Sequence, residues 1–434
     1  MNIDRGAYLG RSAHGDAFAH SQRSVLVLGP SRSGKTTSLI VPNLLLTNSS
    51  VIATSTKDDV VRSMSESRRD RTTLLFDPSG TIHTPPGVIR VGYSPLRASR
   101  EWDGAVLATR SLVESARRGM GDRADDHWTE RASALVAPLL HAAALRSDSM
   151  GALASRVDQR QGNDALELLR ERYGSQHPSS SLLGGVLATE ERERSSIWST
   201  ASGLFAGLRT EAARRASRES PLNVEEFLAG KHHLHVVSPS RYQSVSAPLI
   251  VGLIDEIVEA TYQRFEQGAR TLLALDEMAN VAPLPRLTSI VSEGGGQGVV
   301  TLACLQDLSQ ARSRWGVAAE GFLSLFPTSV VLPGIADPST LESIRNLAGK
   351  QMVSSPTVQR DARGKIQSHS SSWVERDRMT LAQVAQGRND HALALDSSKN
   401  LHWIELTPYY RDSRFAPQRS RDLPAERGRS RGRE

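Results

Sequence analysis

The sequence predicts an α/β protein, in which a nucleotide-binding domain on a mainly parallel sheet is interrupted by an all-α domain. Three observations carry this. The run Gly29-Pro30-Ser31-Arg32-Ser33-Gly34-Lys35-Thr36 stands between an apolar β-branched run at 24–28 and a helix-competent stretch. Short apolar runs without polar alternation recur on both sides of residues 99–228, as expected for strands buried on both faces. Within 99–228 those runs vanish and amphipathic helical spacing replaces them.

Taken in order, the first twenty-odd residues lack apolar periodicity and read as a lead-in. A strand at 24–28, the glycine-bounded loop and a helix follow, and Pro42 is expected to kink or end that helix. Ser50-Val51-Ile52 and Thr73-Leu74-Leu75-Phe76-Asp77-Pro78 read as strands. Helices are expected at 102–115, 126–146, 165–173 and 195–218, with Glu190-Glu191-Arg192-Glu193-Arg194 as a solvated helix face. Strands resume at His233-Leu234-His235-Val236-Val237, followed by a long helix at 244–267 and strand runs at 271–275, 299–304 and 329–332. A helix at 341–348 and a hairpin pairing 392–395 with 402–406 close the fold. Residues 354–378, rich in Ser and charge, read as a mobile loop. The resulting division is 1–98 and 229–412 for the nucleotide-binding domain, 99–228 for the all-α domain, and 413–434 for a disordered, Arg-rich tail.

A chain of 434 residues exceeds what one simple core organises. Its longest apolar stretches, at 38–46 and 247–254, fall short of the roughly 18–20 residues that cross a bilayer. The N-terminus carries no legible signal peptide. Cys304 is the only cysteine, so no internal disulfide forms, and a reducing cytoplasm is expected. The formal net charge is +6, but residues 411–434 hold eight arginines against four acids. The folded body therefore carries only about +2, which is weak evidence for a broad nucleic-acid face. Lysines number six in the whole chain, and one of them, Lys35, closes the loop.

The loop carries chemistry because glycines let successive N–H groups and a helix N-terminus converge on phosphate. Residues Gly29 through Thr36, with Thr37 behind them, are the expected ATP cradle. Lys35 reaches the β/γ-phosphates and the Thr36 hydroxyl holds Mg²⁺. Hydrolysis also needs a metal-managing carboxylate and a group that positions water. The run at 271–275 ends in Asp276-Glu277, which supplies Asp276 for Mg²⁺ and Glu277 to polarise water. A second apolar run ends in Gln306, placed as a γ-phosphate sensor. Lys231-His232-His233-Leu234-His235 has a metal-like look but enters a strand without a partner cluster, so a structural role is expected. Lys57-Asp58-Asp59 could approach the nucleotide or a neighbouring subunit. Trp102, Trp128 and Trp198 are expected in core or interface.

These residues resemble those of the type IV coupling proteins, the TraG/TraD-like ATPases of conjugative DNA transfer and type IV secretion. The likeness runs from about residue 10 to residue 412. Beyond the loop it includes Val41-Pro42-Asn43-Leu44-Leu45, Lys57-Asp58 behind Ser50-Val51-Ile52, and Phe76-Asp77-Pro78. It continues through Leu275-Asp276-Glu277-Met278-Ala279-Asn280, Leu305-Gln306-Asp307-Leu308-Ser309-Gln310 with Trp315-Gly316, and Tyr409-Tyr410-Arg411-Asp412. The resemblance implies a RecA-like domain with an inserted all-α domain that engages cargo and DNA. It also implies a homo-hexameric ring with ATP at subunit interfaces, serving DNA, relaxase or secreted protein cargo, and the components of a type IV secretion channel.

Two departures from the pattern stand out. Family members usually open with membrane helices and this sequence shows none, so a cytoplasmic protein held at the inner face of the membrane through partners is expected. Many relatives also carry an arginine, offered in trans, between the paired acids and the Gln motif. Here that stretch is Ser292-Glu293-Gly294-Gly295-Gly296-Gln297-Gly298, and Arg286, Arg312 or Arg314 would have to substitute. Three functions compete: a coupling motor, a nucleotide-gated docking platform that hydrolyses little, and a ring DNA translocase unconnected to secretion. The Arg-rich tail is either a DNA tether working through counterion release or a solubilising end.

Overall fold

A computed structural model describes residues 6–67, 71–116, 126–360, 366–396, 398 and 400–415. In chain order its strands are β1 (Tyr8–Ser12), β2 (Gly15–Phe18), β3 (Val25–Leu28), β4 (Ser50–Ser55), β5 (Thr73–Phe76), β6 (Val88–Arg90) and β7 (His233–Val237). They continue as β8 (Thr271–Leu275), β9 (Val299–Leu305), β10 (Thr328–Val331), β11 (Lys350–Arg360), β12 (Ile366–Asp377), β13 (His391–Leu395) and β14 (Leu401–Glu405). Twelve of the described strands form one sheet, ordered β2-β1-β14-β13-β10-β3-β9-β8-β4-β7-β5-β6. From β10 to β6 every pairing is parallel. The β2-β1-β14-β13 end is antiparallel.

The central strands are apolar without alternation because both faces are covered. Leu26 and Leu28 of β3 pack into a core shared with Ile52, Phe76 and the helices around 102–229. Val25 and Val27 point the other way, onto Leu39, Ile40, Leu44 and Met64. Burying alternate residues on opposite faces removes the period-two signal.

Among the described residues no strand lies between Arg90 and His233. That interval holds helices Trp102–Ala116, Asp126–Leu145, Asn163–Tyr173 and Glu191–Leu204, near the expected positions, the last followed by a 3₁₀ turn and helix Glu211–Ala216. It also holds Met150–Asp158 and Pro178–Ala188, which the periodicity did not disclose. Ser149 caps the first by accepting from Ala152 N–H, and Pro178 opens the second at a position needing no N–H donor. Trp198 is buried in the core, with Trp102 and Trp128 packed partly buried against it. The acidic–basic run is only partly solvated: Glu193 pairs with Arg131, and Arg194 donates to the carbonyls of Leu187 and Thr189.

Two expectations are corrected and one is narrowed. The lead-in is not featureless, because β1 and β2 form a hairpin and β1 also joins β14. Of the two outcomes expected at Pro42, a kink or an end, the end is not found. Residues Thr36–Ile40 form a widened π turn in which Val41 N–H donates to Thr36 O, and helix Val41–Leu46 continues from it. The wider turn accommodates a residue that lacks an N–H and whose ring would otherwise crowd the preceding turn. Finally, the described residues of 354–378 form a ribbon rather than a loop: β11 and β12 pair in register from Lys350↔Asp377 to Gln359↔Ser368. Residues 361–365, and those beyond Phe415 expected as a disordered tail, lie outside the described residues.

Candidate active site

The site forms where four adjacent strands, β3, β9, β8 and β4, end side by side at their C-terminal edge. In open α/β sheets this is where ligands bind. The loop after β3 folds back on itself. Gly29 N–H donates to Leu305 O at 3.1 Å, Ser33 N–H to Pro30 O at 3.3 Å, and Ser38 N–H to Gly34 O at 2.9 Å. Gly34 has φ +94° and Arg32 φ +64°, so the curl relies on left-handed backbone at two positions. Lys35 is buried, and its Nζ donates to Gly29 O at 2.5 Å and Pro30 O at 2.8 Å. Thr37 Oγ1 donates to Gly34 O at 3.4 Å.

The sequence-distant partners meet this loop. Thr36 Oγ1 donates to Asp276 Oδ2 at 2.5 Å, across 240 positions of chain. Gln306 Nε2 donates to Ser31 Oγ at 3.3 Å, and Gln306 N–H donates to Gln310 Oε1. Because β9 lies between β3 and β8, Gln306 stands between the loop and the paired acids. Glu277 follows Asp276 directly, in the left-handed region at φ +49°, ψ +45°. Burial pushes the Asp276 carboxyl above its ordinary range; the Thr36 hydroxyl and the Lys35 ammonium draw it back, and Glu277 adds to the rise. A divalent cation held by Thr36 and Asp276 would favour the ionised carboxylate.

Two features fit these residues to a phosphate chain. Ser33 Oγ is buried with no hydrogen-bond partner among the described residues. A Cβ at Gly29 would stand 2.8 Å from both Leu332 Cβ and Ser33 Oγ, so the strand must enter the loop without a side chain.

Sequence reasoning missed Thr54. Its buried hydroxyl donates to Asp276 O at 2.9 Å from the neighbouring strand. The available signal was a Thr-Ser pair ending an otherwise apolar run.

The remaining candidates make no hydrogen bond to the loop among the described residues. Asp58 pairs with Arg62, and Asp59 opens helix Asp59–Ser67. His233 and His235 are buried in β7, where burial pushes the His235 imidazole down to about 3. Among the described residues no cluster of three or more His, Cys, Asp or Glu is placed to hold a metal ion by itself. Cys304 is buried in β9, which raises its thiol well above the usual range.

The glycine stretch before β9 is a packing turn at the sheet edge opposite the loop. A Cβ at Gly295 would stand 2.0 Å from Gln22 O, and Gly298 has φ +86°. Arg286 is held by Glu259 at 2.7 Å and Arg312 by Asp337 at 3.2 Å. Arg314, on the helix after β9, is exposed and has no carboxylate partner among the described residues.

Residues 3–426 match the family described as Type IV secretory system Conjugative DNA transfer. Two proteins from Escherichia coli, each named Conjugal transfer protein TraG, are 26% identical over 319 and 347 residues. Those alignments take in 67% and 71% of this chain but 49% and 53% of the relatives, so the chain spans about half their length. Among solved structures, bacterial conjugative coupling protein TrwBdeltaN70 in its unbound monoclinic form superposes with a TM-score of 0.70. The identity is 18%, covering 92% of this chain and 87% of that one. Plasmid coupling protein TrwB in complex with ADP and Mg²⁺ superposes at 0.68, also at 18% identity, with the same coverage of both chains. The likeness carries the fold, a RecA-like α/β arrangement with a mainly parallel sheet. Among the described residues no helix is long and apolar enough to cross a membrane.

Proposed function

We propose, from the premise that this chain belongs to the Type IV secretory system conjugative DNA transfer family, that it is an ATP-driven coupling protein. In this reading it hydrolyses ATP with Mg²⁺ and moves DNA, a relaxase–DNA complex or secreted protein towards a type IV secretion channel. It works as a ring of six copies, in the cytoplasm at the inner face of the membrane, through partners. Residues 1–98 and 229–412 serve as the motor domain and 99–228 as the part that engages cargo and DNA.

The observation that carries the reading is the 2.5 Å contact between Thr36 Oγ1 and Asp276 Oδ2 beside a buried lysine. A hydroxyl and a carboxylate so joined are the oxygen pair a hard divalent cation takes up. When bound, ATP and Mg²⁺ supply the phosphoanhydride and the Lewis acid. Loop amides and Lys35 then bind the phosphates, while Thr36 and Asp276 hold the cation. Glu277 takes the proton of the attacking water, and Gln306 orients the terminal phosphate.

The experiment is steady-state ATP turnover with and without single- and double-stranded DNA, with oligomer size measured in parallel. DNA should stimulate turnover and Lys35→Ala should abolish it. Turnover indifferent to DNA at every protein concentration would remove the motor reading.

One observation favours the docking platform as second reading: two of the three candidate arginines, Arg286 and Arg312, are engaged within the chain, which leaves only Arg314 to serve a neighbour. Loss of an arginine finger costs about 10³–10⁵ in rate where one is needed. Turnover of a purified hexamer at rates of about 1 s⁻¹ or above removes this alternative.

A further inference from the structure

Glu277 adopts a backbone conformation that residues with a side chain rarely take, φ +49° and ψ +45°. Such strain persists only where the surroundings over-determine it. Here the chain must turn at once from β8 into helix Met278–Val281, whose Asn280 and Val281 N–H groups both donate to Glu277 O. The ladder between β4 and β8 ends at Thr54↔Leu275. Beyond it, the Asp276 carbonyl takes a side-chain donor, Thr54 Oγ1, at 2.9 Å. That carbonyl belongs to the one peptide unit joining the two acids. Rotating it would change ψ of Asp276 and φ of Glu277 together. The other end of Asp276 is already fixed, by Thr36 at its carboxylate.

We propose that Thr54 is a positioning residue for hydrolysis. Its hydroxyl pins the peptide between Asp276 and Glu277, holding Glu277 in its left-handed conformation so that the two carboxylates serve different tasks from adjacent positions. This rests on the reading of Glu277 as the group that activates water, and it adds a residue that touches neither nucleotide nor metal.

The test replaces Thr54 with Val, which keeps the shape and removes the donor, and with Ser, which keeps the donor. Thr54→Val should stay folded, with an unfolding midpoint lowered by the unpaired Asp276 carbonyl, and bind a non-hydrolysable nucleotide within about twofold, while kcat falls on the order of ten- to a hundredfold. Thr54→Ser should restore most of kcat. In a Glu277→Gln background, adding Thr54→Val should change the residual turnover by less than about twofold, because the two act as a unit. Amide exchange in the nucleotide-free protein gives an independent readout: the Asn280 and Val281 N–H groups should exchange faster in Thr54→Val. If Val does not fold, Thr54→Ala carries the same comparisons. Normal kcat in a folded Thr54→Val protein, or equal losses with and without Glu277, overturns the proposal alone. Parent turnover untouched by Lys35→Ala and Glu277→Gln overturns the underlying reading as well.

Discussion

Asn43 grips Tyr8 by both ends of its backbone: Asn43 Oδ1 accepts the Tyr8 N–H at 2.8 Å, and Asn43 Nδ2 donates to Tyr8 O at 2.8 Å. Nδ2 also donates to Leu39 O. A buried side-chain amide on the helix after the phosphate loop thus completes the hydrogen bonding of β1, near the antiparallel end of the sheet. Asn43→Ala leaves a buried donor and acceptor on Tyr8 without partners, at a cost of about 2–4 kcal/mol. The loss should appear as a lower urea midpoint, with nucleotide affinity little changed. Asn43→Asp should fare no better, because a carboxylate cannot donate to the Tyr8 carbonyl.

Thr36→Val separates metal from phosphate binding. It removes the hydroxyl that meets Asp276 while leaving the loop backbone and Lys35 in place. Affinity for an ATP analogue should drop at least about tenfold with Mg²⁺ present and hardly at all in EDTA. Lys35→Ala should weaken binding in both conditions. Equal losses for Thr36→Val in the two conditions would assign its effect to loop distortion rather than to metal.

How far the sequence disclosed this arrangement depended on what kind of constraint each residue answers. Asp276 and Gln306 end apolar runs, and the loop carrying Lys35 and Thr36 follows another; a parallel sheet brings such run ends to one edge, so their meeting was legible. The hairpin β11–β12 was not, because its serine-rich sequence has weak strand preference and the side chains at 351–356 and 371–377 are half-buried or exposed. Val353 opposite Val374 was a cross-strand pair visible only once the register was known. Thr54 and Asn43 were missed as contacts because their partners are backbone groups, which carry no residue-specific signal. The arginine sought in 292–298 gave way to a local demand, since Gly295 packs directly on the Gln22 carbonyl.

Asp255 makes the stability of the joint between the helical interval and the sheet depend on pH. It lies on helix Gln243–Gln263, and its Oδ2 accepts from Ser111 Oγ at 2.7 Å on helix Trp102–Ala116. Its Oδ1 is buried without a partner among the described residues. Burial pushes its carboxyl up to about 6; Ser111 and Arg286 pull it down, and Glu114 and Glu259 raise it. A folded-state value above the unfolded one near 4 means that the native protein holds the proton more tightly. The penalty for ionising is absent below about pH 4, grows from pH 4 to 6 and is complete above, reaching about 3 kcal/mol. Asp255→Asn does not titrate. Its stability relative to the parent should therefore improve by about 1–2 kcal/mol between pH 5 and pH 8. Any fixed cost of the new amide cancels in that difference. Urea midpoints of both proteins at the two pH values check this, and a gap that stays constant with pH would refute it.

Where the chain is cut decides what removal of the Arg-rich tail tests. Arg414 pairs with Asp412 and Asp16, and Phe415 meets the Tyr8 ring edge-on at 6.0 Å. A cut after Asp412 would therefore remove contacts that hold β1 and β2 as well as the tail. Ending the chain after Phe415 removes six arginines and three acids and leaves those contacts intact. If the tail tethers DNA, each arginine on a phosphate contributes about −0.9 to the slope of log affinity against log salt. The shortened chain should then bind DNA more weakly at low salt, with a slope shallower by about 2–5. ATP turnover without DNA should stay the same, since no catalytic residue is touched. Equal slopes for the two chains would identify the tail as a solubilising end and leave DNA recognition to the folded body.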